Sequence, residues 1–194
     1  IKKKGNTVFE LSVGPGSSNW DRAIEAYYQL KGGQVDYGAL HSQKYNIDQK
    51  PIGKIYKGLY PQWNEDNPVH IIGHSMGGQT ARMLQYLLSQ QFIIDANTGQ
   101  NEESNLLGSS HNRWIKSITS ISTPHDGTTL TEIVTKTIPF IQYFVGVAGV
   151  IGTEFYDFDL NQWGFEMGNN ESWANYLKRM RKHSAWETKN ISSW

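Results

Sequence analysis

The residues best placed to do chemistry are Gly73-His74-Ser75-Met76-Gly77, a G-x-S-x-G run in a chain of 194 residues. A serine hydroxyl attacks an acyl carbon when it is held clear of the backbone and a base takes its proton. The spacing meets the first condition: a strand turns into a helix so sharply that the serine adopts a strained backbone conformation. Glycines two residues either side are expected because larger side chains would clash there. The N–H groups that follow, Met76 first, then face the place where an oxyanion forms. Losing one such donor typically costs about 10²–10³ in rate. Ser75 is the candidate nucleophile and the Met76 backbone N–H the candidate oxyanion donor.

The flanking residues predict the elements such a turn needs. Pro68 to Ile72 is a short apolar, β-branched run and reads as a buried strand. Ala81, Leu84, Leu87 and Leu88 mark one face of a helix that ends near Gln90. Trp114 to Ile121 reads as a second strand, followed by a turn-rich loop from Ser122 to Thr128. Nearer the N-terminus, Thr7 to Leu11 reads as a strand. Ser18 with Asp21 three residues on forms a capping box, and Gly32-Gly33 stop a helix bearing Trp20, Ile24, Tyr27 and Leu30 on one face. Residues 34–66 and 95–112 read as polar loops, and Asn170 to Lys182 as an amphipathic helix presenting Trp173, Tyr176, Leu177 and Met180. Strands alternating with helices predict one α/β domain with a mainly parallel sheet.

The second condition is harder to meet. In this arrangement the order along the chain is serine, acid, histidine, and the histidines after Ser75 are His111, His125 and His183. His111 falls in a polar loop. His125 adjoins Asp126, which reverses the order, and His183 ends a helix beside Lys182. His74 belongs to the turn and is expected to pack beneath it. The base is therefore read as missing from this chain.

Composition narrows the function classes. Eighteen basic and 18 acidic residues cancel, which argues against an electrostatic nucleic-acid binder. With no cysteine, disulfide scaffolds, thiol nucleophiles and cysteine zinc modules are excluded. Seven Trp and ten Tyr are too aromatic for disorder.

Extended to Gly73-His74-Ser75-Met76-Gly77-Gly78-Gln79-Thr80-Ala81-Arg82, the sequence resembles the secreted triacylglycerol lipases of the staphylococcal and thermostable bacillus type. Ser17-Ser18-Asn19-Trp20-Asp21-Arg22, Gly32 to Ala39, Thr123-Pro124-His125-Asp126-Gly127-Thr128, Leu160 to Gly164 and Asn170-Glu171-Ser172 continue the likeness, which runs from about residue 9 to residue 189. The resemblance implies an α/β-hydrolase core with a helical lid, here truncated at both ends. A strand and a His-Gly-Phe-type loop would precede Ile1, and the triad Asp and His and the calcium ligands would follow Trp194. Ser75 and Met76 are the catalytic positions that transfer.

The resemblance also implies a structural zinc held by two Asp and two His. Asp21 and His41 stand at two matching positions; the second His falls in Tyr45-Asn46-Ile47-Asp48, where Asp48 is the substitute, and the second Asp near Asn190. A structural zinc takes four ligands, and the competing reading makes Asp21 a helix cap and His41 a loop residue. The lid would fall at 131–152. Its apolar run approaches the ~20 residues of a membrane span, but Lys136, Pro139 and Gln142 interrupt it. A lid there would cover the site in water and present Phe140, Ile141, Phe144 and Val145 to a lipid–water interface.

The expected function is ester hydrolysis of glycerides by a secreted, extracellular enzyme without a transmembrane span. A carboxylesterase or acyltransferase with the same turn, or an inactive lipid- or partner-binding fragment, are the alternatives.

Overall fold

A computed structural model of the chain describes residues 5–14, 17–127 and 171–180. The expected lid at 131–152, Leu160 to Gly164, His183 and Asn190 lie outside the described residues.

Helix α1 (Asn19–Lys31) starts where Ser18 Oγ accepts the Asp21 N–H at 3.0 Å, matching one of the donors that a helix start leaves open. It ends at Gly32, whose φ of 93° suits a residue without Cβ. The capping box is only half built, because the Asp21 carboxylate turns instead to His41. The predicted single apolar face also gives way: every residue from Asp21 to Leu30 is buried.

The polar side of α1 is buried because most of its groups find partners. Glu25, 1% exposed, accepts the Gly14 N–H at 2.8 Å, the Tyr37 hydroxyl at 2.7 Å and the Lys54 ammonium at 2.8 Å. Lys54 also donates to the Tyr37 oxygen at 3.0 Å. Gln29 exchanges hydrogen bonds with the Ser12 backbone. Three separate stretches are thus fastened to one helix.

Much of that cover comes from residues 34–66, which read as a polar loop. They build β2 (Ile55–Tyr56), paired antiparallel with β1 (Gly33–Gln34), and helix α2 (Ala39–Tyr45). Val35, Tyr37, Ile47 and Trp63 from this stretch are buried in the core. Trp63 also donates its indole N–H to the Trp114 carbonyl at 2.8 Å. The stretch at 95–112 likewise carries the β4 (Ile93–Asp95) and β5 (Gln100–Asn101) hairpin, and buries Glu102, Leu106 and Leu107.

The functional turn sits on the longest ladder. β3 (Val69–His74) pairs parallel with β6 (Ile115–Ile121), placing Gly73 opposite Ser120 and His74 opposite Ile121. Helix α3 (Met76–Ser89) follows β3 and packs on α1 through its buried Leu84, Leu87 and Leu88. The α/β arrangement with a parallel ladder is therefore present. Helix α4 (Trp173–Met180) buries Tyr176 and leaves Trp173 42% exposed.

Two strand expectations need correction. Residues 7–11 form no strand, having no ladder partner among the described residues. β3 is less buried than its apolar run predicts, with Ile72 53% exposed, because it has one described neighbour and a groove along its flank.

Breaking a buried ion pair from one side strands the other charge, at a cost of about 3–5 kcal/mol. Glu25→Leu should lower stability by roughly that much in urea unfolding, and adding Lys54→Met should recover part of it. Burial holds the Tyr27 phenol above its ordinary range, helped by neighbouring Tyr28, while Tyr28 is raised chiefly by burial. Both remain protonated in the fold at pH values where the unfolded chain has begun to ionise. Stability is therefore intact below pH about 10 and falls as pH climbs towards the folded values, which melting temperatures at stepped alkaline pH will show.

Candidate active site

Ser75 has φ 52° and ψ −127°, a positive φ that a non-glycine residue rarely adopts. Its N–H donates to the Ile121 carbonyl at 2.9 Å and its carbonyl accepts the Gly78 N–H at 3.2 Å. The end of β6 and the first turn of α3 therefore hold the peptide on both sides. Ser122, which follows β6, is also in the positive-φ region at 49°.

The Ser75 side chain forms no helix-capping hydrogen bond, and its hydroxyl is not consumed in starting α3. Met76 is the first residue of α3, where an N–H has no intrahelical acceptor. The Ser75 N–H is committed to Ile121, so the open donors at the turn begin with Met76. The helix start carries the equivalent of about half a unit of positive charge, spread over its open N–H groups.

The reason for the glycines differs from the expected one. A Cβ on Gly73 would lie 2.4 Å from the Gly77 carbonyl carbon and 2.5 Å from the Gly78 nitrogen. One on Gly78 would lie 2.1 Å from Thr123 Oγ1, but one on Gly77 would meet nothing within 4 Å. Gly73 and Gly78 are thus the sterically required pair. Gly77 is tight only as the backbone against which Gly73 rests. Gly78 was missed because the five-residue motif stops one residue short of it.

No histidine is hydrogen-bonded to Ser75 among the described residues. The His111 ring faces the Asn105 carbonyl at 2.9 Å and packs on Trp114. His125 is exposed, with Nδ1 3.0 Å from Arg82 Nη1 and Nε2 3.0 Å from Ser120 Oγ. His74, expected beneath the turn, is exposed, because the last residue of β3 points away from the α3 packing.

Asp21 and His41 do come together. His41 Nε2 lies 2.9 Å from Asp21 Oδ1, with the side chains 8% and 0% exposed. Trp20 stacks on the imidazole at a centroid distance of 4.9 Å, and Asp21 Oδ2 is buried without a partner. Among the described residues no third His, Asp or Glu joins them; Asp48 is exposed. A structural zinc takes four ligands; Asp21 and His41 are two such donors among the described residues, and residue 190 lies outside them.

Forcing a Cβ into the Gly73 contact requires a backbone shift costing about 1–3 kcal/mol. Gly73→Ala should lose that much stability, whereas Gly77→Ala, which fills open space in a helix, should stay within about 1 kcal/mol of the parent. Urea unfolding of the two variants side by side checks the assignment, and equal losses would contradict it.

The whole chain, residues 1–194, matches the family model described as "Lipase-like, C-terminal domain". It is 38% identical to Lipase 2 of Staphylococcus aureus over 191 residues, covering 96% of this chain and 27% of that protein. Lipase 1 of the same species is 37% identical over 194 residues, covering 97% and 28%. The fold superposes on Staphylococcus hyicus lipase with a TM-score of 0.81 at 39% identity, covering 97% of this chain and 49% of that one. EstA from Clostridium botulinum gives 0.74 at 40%, covering 96% and 44%. The chain thus spans about a quarter of the length of the curated relatives and about half that of the solved ones. Over its full length it belongs to the lipase-like C-terminal domain family.

Proposed function

We propose that this chain carries the nucleophile of an extracellular triacylglycerol lipase. Ser75 Oγ attacks the ester carbonyl, the alcohol leaves, and water hydrolyses the acyl-enzyme. The observation that carries the reading is the pairing of a strained, uncapped Ser75 with the open N–H of Met76 at the start of α3. A serine presented this way beside a donor for developing negative charge is suited to acyl transfer. The S. aureus relatives named as lipases support esters as the substrate class. The extracellular location rests on the likeness to secreted lipases. No helix among the described residues is long and apolar enough to cross a membrane.

The base that takes the Ser75 proton, and the carboxylate that orients it, are proposed to come from outside the described residues, since none of the described histidines engages Ser75. The lid at 131–152 is proposed to meet the lipid–water interface. Zinc at Asp21 and His41 would need donors from beyond the described residues, and no step of the reading passes through it.

A serine-directed fluorophosphonate followed by intact-mass analysis tests the assignment. A single adduct should form and be absent in Ser75→Ala. Without its base, labelling should be slower than in a lipase with a complete triad by roughly the 10²–10⁴ that general-base catalysis contributes. An adduct that survives Ser75→Ala overturns the nucleophile, and labelling at full-triad speed places a base within the chain.

A further inference from the structure

The loop that follows β6 is fastened to α3 along one face of the helix. Gly78, Gln79 and Arg82 are spaced three and four residues apart, so they share that face. Thr123 sits against Gly78, where a Cβ would come within 2.1 Å of its Oγ1. The Pro124 carbonyl accepts from Gln79 Nε2 at 2.7 Å, and His125 Nδ1 lies 3.0 Å from Arg82 Nη1. Three successive loop residues thus meet three residues of one helix face. The chain then turns at Gly127, whose φ is 86° and whose N–H donates to the Pro124 carbonyl at 3.1 Å.

His125 also reaches back to the strand, with Nε2 3.0 Å from Ser120 Oγ. A guanidinium has donors and no acceptor, so the Arg82 bond forms only when Nδ1 carries no proton. The ring proton is then on Nε2, which donates to Ser120 Oγ. One imidazole in one tautomer therefore bridges α3 to β6. A ring with both nitrogens engaged in this way is not the base for Ser75.

The bridge spans the place where the nucleophile's turn is anchored. Ser120 pairs with Gly73 in the ladder, and Ile121, next to it, accepts the Ser75 N–H at 2.9 Å. Ser122 follows at a φ of 49°. A non-glycine residue in that region is strained and persists only where its surroundings over-determine it. Ser120 fixes one side of it and residues 123–125 the other, and His125 joins the two sides. Arg82 and His125 are exposed, so each bond competes with water and the bridge holds through its members together.

We propose that His125 is a positioning residue for the nucleophile. By closing the loop at 122–127 between Arg82 and Ser120, it keeps the Ile121 carbonyl on the Ser75 N–H and so sustains the turn that presents Ser75 Oγ. It acts through Ile121 and makes no hydrogen bond to Ser75 itself. That Ser75 is a nucleophile rests on the lipase reading; the bridge does not.

Two measurements on the 194-residue chain test this role. Nitrogen NMR shifts of the His125 ring at neutral pH should show a bare Nδ1 and a protonated Nε2. In His125→Ala, the Ser75 amide should exchange with solvent roughly 5–30-fold faster, as one or two lost hydrogen bonds imply, while α1 amides stay as they were. His125→Gln, whose amide both accepts and donates, should restore most of that protection, and Arg82→Met should lose it. A proton on Nδ1 of the unaltered chain overturns the bridge, whether or not the variants fold. Unchanged Ser75 exchange in His125→Ala overturns the positioning role, and so does an equal rise at Ser75 and along α1. Fluorophosphonate labelling that slows where Ser75 exchange quickens supports the role, and labelling that keeps its rate there overturns it. No labelling of the unaltered chain, with tautomer and exchange as stated, removes the nucleophile and leaves the bridge standing.

Discussion

The geometry of the site depends on one close approach, the end of β3 lying against the first turn of α3. With no Cβ on Gly73, the two backbones touch at Gly77 and Gly78. That contact sets where α3 begins relative to the strand. The peptide between them then has one way round, through the positive φ of Ser75, with its N–H anchored on Ile121. The strain, of order 1–3 kcal/mol in such conformations, is sustained because both flanking elements are fixed independently. β3 is held by its parallel ladder to β6, and α3 by its packing on α1.

Helix α1 is the element against which the rest is measured. Burying a helix on every side normally calls for an apolar surface, and α1 instead buries Asp21, Arg22, Glu25 and Gln29. Partnered polar groups cost little to bury compared with unpartnered ones, so the helix exchanges solubility for fastening points. Glu25 ties residue 14 and residues 37 and 54 to a common centre, while Asp21 ties in α2 through His41. A network of this kind favours one arrangement of its loops over alternatives.

The parts legible in the sequence were those with a local signal. The turn, its preceding strand and the helix after it follow from glycine spacing and apolar periodicity, as do the Ser18 cap and the Gly32 stop. The illegible parts depend on partners distant in the chain. Residues 34–66 contribute Val35, Tyr37, Ile47 and Trp63 to the core at irregular intervals, so no period betrays them. Lys54 and Glu102 look like solvated charges until Glu25 and the start of α2 are placed beside them; Glu102 accepts the Ala39 and Leu40 N–H groups at 3.0 and 3.1 Å. Residues 7–11 differ the other way: they read as a strand, but a strand exists only with a neighbour to bond. For Asp21 and His41, position alone could not show that the two side chains meet, 2.9 Å apart, across α1 and α2.

The φ of 52° at Ser75 also restricts which nucleophile this position can hold. Threonine offers the same hydroxyl and serves as a nucleophile elsewhere. Its branched Cβ, however, makes a positive φ a severe outlier. Cysteine has no such branch and would fit the conformation, bringing a thiolate's different demands on its base. The backbone thus makes a choice between two hydroxyls that their reactivity would not make. The path from this site to another chemistry runs through sulfur more readily than through a second alcohol.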